Sequence, residues 1–168
     1  MASSFPLRRA LPLALALPLA GALVSAPSFA AHSAAPRTGF FELTPTAEQV
    51  PGRGDTRGTV RAYLQLDGPR NTVCYLLTWS GLKGKVTAAH LHRAPAGKTG
   101  PHHIDLVNDI AITGKRGSVA DCVDADEAMH GMKPDRRAVP AVLTKPERFY
   151  LNLHTSAFPD GARRAQLG

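Results

Sequence analysis

The chain has 168 residues and a formal net charge of +7, with 20 lysines and arginines against 13 acids. Its cations are scattered from Arg53 to Arg164, and only 6% of its residues are aromatic, so the stacking platform of a nucleic-acid binder is not expected. The partner is unknown from the sequence, and the basic balance leaves an anionic envelope polymer, a glycan or an extracellular protein open.

Residues 1–30 have the pattern of a signal peptide. Arg8 and Arg9 precede an apolar run over residues 11–24, and a small-x-small cleavage site ends at Ala30. The apolar run is interrupted by proline and is too short for a comfortable membrane span. We therefore expect an exported protein, secreted or held in the periplasm or cell envelope, with no membrane span after cleavage.

The remainder is predicted to be a disordered lead-in over residues 31–37 and a single β domain over residues 38–168. Short alternating runs between turn signals predict strands at Thr38–Leu43, Thr59–Leu66, Thr72–Trp79, Val86–Arg93, His103–Val107, Gly117–Val123, Phe149–His154 and Arg163–Leu167. The fold class predicted is all-β, an antiparallel Greek-key-like sandwich or barrel. One or two short helical turns are expected in Ala125–Met132 and Arg136–Leu143, where Pro140 limits the second.

The segment from Pro45 to Gly58 is rich in glycine and proline and is predicted to be a surface loop. It contains Arg53-Gly54-Asp55, the tripeptide that integrins read. A tripeptide recurs often by chance, so no function is assigned to it.

Both cysteines lie in predicted strands, Cys74 within one and Cys122 near the end of another. An even number of cysteines in an exported protein is most simply explained by one disulfide. The loop that Cys74 and Cys122 would close predicts a stabilisation of about 4 kcal/mol. A Cys-x-x-Cys motif, which would indicate a redox or metal site, does not occur.

The most specific prediction from the sequence concerns the arrangement of the histidines. In a strand, alternate side chains point to the same face, so His90 and His92 project together. In the C-terminal strand, Asn152 and His154 project away from the apolar residues that alternate with them. Three imidazoles are thus expected on one side of a sheet.

Two hypotheses follow for this cluster. His90, His92 and His154 have the donor chemistry of a copper or zinc site. Alternatively, the imidazoles form a structural hydrogen-bond network with Asn152, Thr155 and turn carbonyls, which pins the two strands. Dismutase chemistry is not expected, because the further ligands that a copper-zinc dismutase needs do not occur in the required pattern.

The adjacent pair His102 and His103 follows Pro101. Both histidines are interpreted as solvent-exposed loop residues, outside either hypothesis for the cluster.

The order of these motifs resembles the CHRD domain family. The matching residues are Ala88–His92, Gly97, Gly100, Tyr150–Thr155, the Pro159-Asp160-Gly161 turn and the closing Gln166-Leu167. One departure is Arg164-Ala165, where the family has Arg-Gly. The resemblance implies an extracellular binding or structural module of unknown ligand, without enzymatic activity or cofactor. A copper- or zinc-binding metalloprotein is the alternative.

Overall fold

The computed structural model describes residues 37–127 and 135–168, which fold as two antiparallel sheets. The strands are β1 (Thr38–Leu43), β2 (Thr59–Asp67), β3 (Thr72–Ser80), β4 (Lys85–Arg93), β5 (His102–Val107), β6 (Ile112–Thr113), β7 (Arg116–Asp124), β8 (Phe149–Thr155) and β9 (Phe158–Gln166). The first sheet has the order β1-β2-β3-β7 and the second β5-β4-β8-β9, with β6 paired to β4. The predicted all-β fold is confirmed.

The core lies between the two sheets. Leu64 and Leu77 of the first sheet and Leu91 and Leu151 of the second are fully buried in one apolar cluster. The alternation of β2 and β3 buries every second side chain, as expected for sheets with one face on the core. In contrast, every residue of β8 is buried, so its second face is covered as well.

Two helical segments are described. Helix α1 spans Ala138–Thr144, close to its predicted position, and a 3-10 turn spans Pro146–Arg148. Of the other predicted helix, Ala125–Met132, residues 125–127 form a turn and the rest lies outside the described residues. Within residues 37–127 and 135–168, no helix has the length and apolar character needed to cross a membrane.

The last hairpin differs from the prediction. Strand β9 begins at Phe158, and Thr155 pairs with Phe158 across a turn made by Ser156 and Ala157. The prediction of a turn at Pro159-Asp160-Gly161 is therefore wrong. These residues lie within β9, where the pairing with β8 shifts register between Leu153 and Thr155.

The predicted surface loop at Pro45–Gly58 is anchored to the domain. Thr46 forms a β-bridge with Arg164, and Asp55 is 2% exposed. The Asp55 carboxylate accepts the backbone N–H groups of Arg57 and Lys83 at 3.0 and 2.6 Å. An integrin would have to reach this carboxylate, so its burial removes the tripeptide as a recognition motif.

Cys74 and Cys122 stand directly opposite each other on β3 and β7. Their sulfur atoms lie 2.04 Å apart, which is a disulfide bond. The bond ties the edge strand β7 to its neighbour on the face of the sheet turned away from the core.

Candidate metal centre

Three neighbouring strands of the second sheet carry the histidines, in the order β5-β4-β8. His90 pairs with Asn152 across β4 and β8, and Ala88 pairs with His154. Because Ala89 and Leu91 fill the core, the polar residues of β4 and β8 share the opposite face.

The structure brings together the three histidines that the sequence predicts. The ring centroid of His90 lies 5.7 Å from that of His92 and 4.8 Å from that of His154. The rings of His92 and His154 are 6.2 Å apart. The face is closed over, so His90, His92 and His154 are only 5, 6 and 9% exposed.

A fourth imidazole joins them, and here the sequence interpretation was wrong. His102 is the first residue of β5, opposite His92, and its ring lies 4.2 Å from His90 and 4.4 Å from His92. One nitrogen from each of these three rings fits within a 4.8 Å group. His103 is not exposed either, because its ring is buried and bonds to the carbonyl of Ala138 at 2.9 Å.

A bulge explains why alternation did not reveal His102. Leu91 pairs with Ile104 but His92 pairs with His102, so β5 carries one extra residue at this point. Strict alternation would turn His102 to the same side as Ile104, which is in the core. No feature of the sequence predicts this bulge.

Backbone carbonyls fix the protonation of two rings. His92 Nδ1 lies 3.0 Å from the oxygen of Gly100, and His154 Nδ1 lies 2.8 Å from the oxygen of Pro159. A carbonyl oxygen can only accept, so in each neutral ring Nδ1 carries the hydrogen and Nε2 carries the lone pair. Both Nε2 atoms are buried without a hydrogen-bond partner.

Two linked side chains fix the position of the hydrogen on the His90 ring. Asn108 Nδ2 donates to the carboxylate of Asp105 at 3.0 Å, so its Oδ1 faces His90 Nε2 at 2.6 Å as an acceptor. His90 Nε2 therefore carries the hydrogen and Nδ1 the lone pair. Like the Nε2 atoms of His92 and His154, His90 Nδ1 is buried and has no hydrogen-bond partner.

Burial keeps these rings neutral. Removal from water lowers the pKa of His90 and of His92 to about 4, and it also lowers the pKa of His154. Neighbouring imidazoles add to the effect, because each disfavours a second positive charge. At neutral pH His90, His92 and His154 therefore present uncharged nitrogen donors, the form that binds transition metals.

The hydrogen-bond network predicted for this face is present only in part. His92 and His154 bond to backbone carbonyls, and Asn152 Nδ2 donates to the oxygen of Asp160 at 3.3 Å. Thr155 does not join, since its buried Oγ1 has no partner at the point where β8 and β9 shift register.

An aromatic and cationic column supports His92 from the side. The ring of Tyr150 stacks on it at 4.9 Å with an interplanar angle of 8°, and the Arg164 guanidinium lies 3.4 Å from the centre of the Tyr150 ring. Arg164 is 1% exposed and donates to the carbonyls of Lys98 and Pro95. The column ties β8 and β9 to the loop that supplies the Gly100 carbonyl.

This arrangement defines a class of protein: a disulfide-bonded β-sandwich with an imidazole cluster buried on the outer side of one sheet. Residues 40–167 match the family model of the CHRD domain. The chain therefore belongs to the CHRD domain family, which confirms the resemblance read from its motifs. No curated protein and no solved structure matches it.

Proposed function

We propose that this protein is an exported CHRD-domain binding module whose histidine cluster binds a divalent transition-metal ion, Cu(II) or Zn(II). One observation carries the proposal. His90 Nδ1, His92 Nε2 and His154 Nε2 are lone-pair nitrogens of neighbouring rings, each buried without a hydrogen-bond partner. Each unsatisfied buried acceptor costs about 1–3 kcal/mol, and a bound ion would recover that free energy.

The donor set selects the class of ion. Imidazole nitrogen suits copper and zinc, whereas calcium and magnesium prefer oxygen ligands. In each of His90, His92 and His154 the second ring nitrogen donates to an oxygen, which is the outer-shell arrangement that orients metal-ligating histidines.

A purely structural role explains less of the geometry. Bonds from His92 and His154 to carbonyls would hold the loops in place with one nitrogen of each ring. They give no reason for burying the other nitrogen of each ring without a donor, since buried polar atoms are normally paired.

Export and a role in binding rather than catalysis are supported by other features. The first 30 residues have a leader pattern, and the disulfide between Cys74 and Cys122 suits an oxidising compartment. Membership of the CHRD family supports a binding module.

Metal content tests the proposal. The exported protein, purified without chelator and then loaded with Cu(II) or Zn(II), should retain one ion per chain after gel filtration. A variant with His90→Ala, His92→Ala and His154→Ala should lose it. His103→Gln is the matched control, because its ring bonds to Ala138 instead of facing the cluster.

Circular dichroism must show that the triple variant is folded. Wild-type protein that retains neither ion under these conditions would overturn the proposal. Equal retention by wild type and the folded triple variant would overturn the ligand assignment.

A further inference from the structure

We infer that His102 is a fourth ligand, so that the ion is enclosed by four imidazoles and has no position open to substrate. The inference rests on the proposed metal site and specifies its chemistry. A closed four-ligand site holds its ion, whereas a three-ligand site leaves a position for water or substrate and supports catalysis.

Proximity is the first argument. The His102 ring is closer to His90 and His92 than those two rings are to each other, at 4.2 and 4.4 Å against 5.7 Å. One nitrogen of each of these three rings already lies within 4.8 Å of one nitrogen of each of the other two.

The second argument is the orientation of the ring. His102 Nδ1 lies 3.0 Å from a carboxylate oxygen of Asp105 and donates to it, so in the neutral ring the lone pair is on Nε2. A carboxylate behind a histidine fixes the tautomer and raises the basicity of the other nitrogen, as in carboxylate–histidine–zinc triads. The Asp105 side chain is 8% exposed, so this pairing is within the protein.

One carboxylate serves two ligands. The other oxygen of Asp105 accepts from Asn108, whose amide oxygen in turn accepts from His90. Asp105 thus orients His102 directly and His90 through one intermediate. It also places one negative charge beside the site, which offsets half the charge of a divalent ion.

The third argument is position. The side chain of His102 is 33% exposed, whereas those of His90 and Asp105 are 7 and 8% exposed. It lines two cavities that reach the cluster, of about 420 and 610 Å³. Coordination by His102 would therefore close the solvent side of the ion.

Azide binding to the Cu(II)-loaded protein tests this inference. Azide enters an open copper position and gives a new charge-transfer absorption and a changed electron paramagnetic resonance spectrum. We expect no change in wild type and a saturable change in His102→Ala. The control His103→Gln should behave as wild type does.

Nitrogen-15 NMR of the Zn(II)-loaded wild type gives a test that does not depend on a variant. The Nε2 resonances of His92, His102 and His154 should all move on loading. A His102 resonance that stays in place while those of His92 and His154 move would overturn the inference but not the proposed metal site. An azide response of wild type equal to that of His102→Ala would do the same. Failure of wild type to take up either ion would overturn the proposed function with it.

Discussion

At the scale of single residues, the site depends on which nitrogen of each imidazole is tied to an oxygen. Alternation in the sequence predicted that His90, His92 and His154 share a face. It gave no information on tautomers, because these are set by Gly100, Pro159 and Asn108, which lie on other segments of the chain. Hydrogen-bond partners on other strands and loops cannot be read from the alternation within one strand.

Asp105→Asn should weaken metal binding. An amide can neither supply the negative charge nor accept from both sides as a carboxylate does, so His102 and His90 lose their common support. We expect a 10- to 100-fold lower affinity, the usual effect of removing an outer-shell partner. Competition with a chromophoric chelator measures it.

Asp109→Asn is the matched control for this change, because Asp109 is exposed and asparagine tolerates its positive φ of 55°. Equal affinities for the Asp105 and Asp109 variants would contradict the role given to Asp105.

The metal-free protein should lose stability as the pH falls from 7 to 5. The pKa of His90 and of His92 is about 4 when folded, against about 6.5 when unfolded. Between these values the unfolded chain binds more protons, so stability is fully present above 6.5 and declines below it.

The expected loss between pH 6.5 and 5 is about 2 kcal/mol per histidine. The lowered pKa values of His103 and His154 act in the same direction. Urea unfolding after dialysis against chelator measures the change. A free energy of unfolding that stays constant or rises over this interval would show that the rings are not buried in neutral form.

At the scale of elements, the sequence predicted the strands well where alternation was regular. The bounds of β1 were predicted without error, and those of β2, β3 and β4 to within one residue at each end. The sequence-based prediction was wrong where one strand carries an extra residue or where a turn signal lies inside a strand. The bulge opposite His92 and the start of β9 at Phe158 are of this kind, since both depend on the partner strand.

The disulfide between β3 and β7 should contribute strongly to stability. Replacing both Cys74 and Cys122 by serine removes the constraint on the unfolded chain, and we expect a loss of up to about 4 kcal/mol. Urea unfolding compares the variant with the oxidised wild type, while thiol titration of denatured protein checks the bond itself. Two free thiols in wild-type protein purified without reductant would contradict the pairing.

Gly161 in β9 is required by its contact with β8. A Cβ at this position would lie 2.6 Å from the Oδ1 of Asn152, and its φ is +136°. Gly161→Ala should therefore destabilise the protein and displace the amide beside the histidine cluster. Gly52→Ala is the control, because its φ is +98° with nothing within 4 Å.

Thermal melts of the Gly161 and Gly52 variants distinguish the effect of the contact with Asn152 from the effect of backbone strain at a positive φ. Similar melting temperatures for the two variants would show that the contact with Asn152 is unimportant.

At the scale of the whole molecule, the sandwich keeps apolar packing and polar chemistry on opposite faces of the second sheet. Its inner face packs against the first sheet, and its outer face carries the buried imidazoles beneath the loop of Gly100 and the Pro159 segment. The fold class and family followed from strand spacing and motif order. The fourth imidazole and its carboxylate did not, because they required the tertiary alignment of β5 with β4.

The most direct test of the proposed metal site is anomalous diffraction at the copper or zinc edge from crystals of the ion-loaded wild-type protein. We predict one peak within about 2.0–2.1 Å of His90 Nδ1 and of the Nε2 atoms of His92 and His154. Crystals grown with saturating ion that show no peak between these nitrogens would contradict the account.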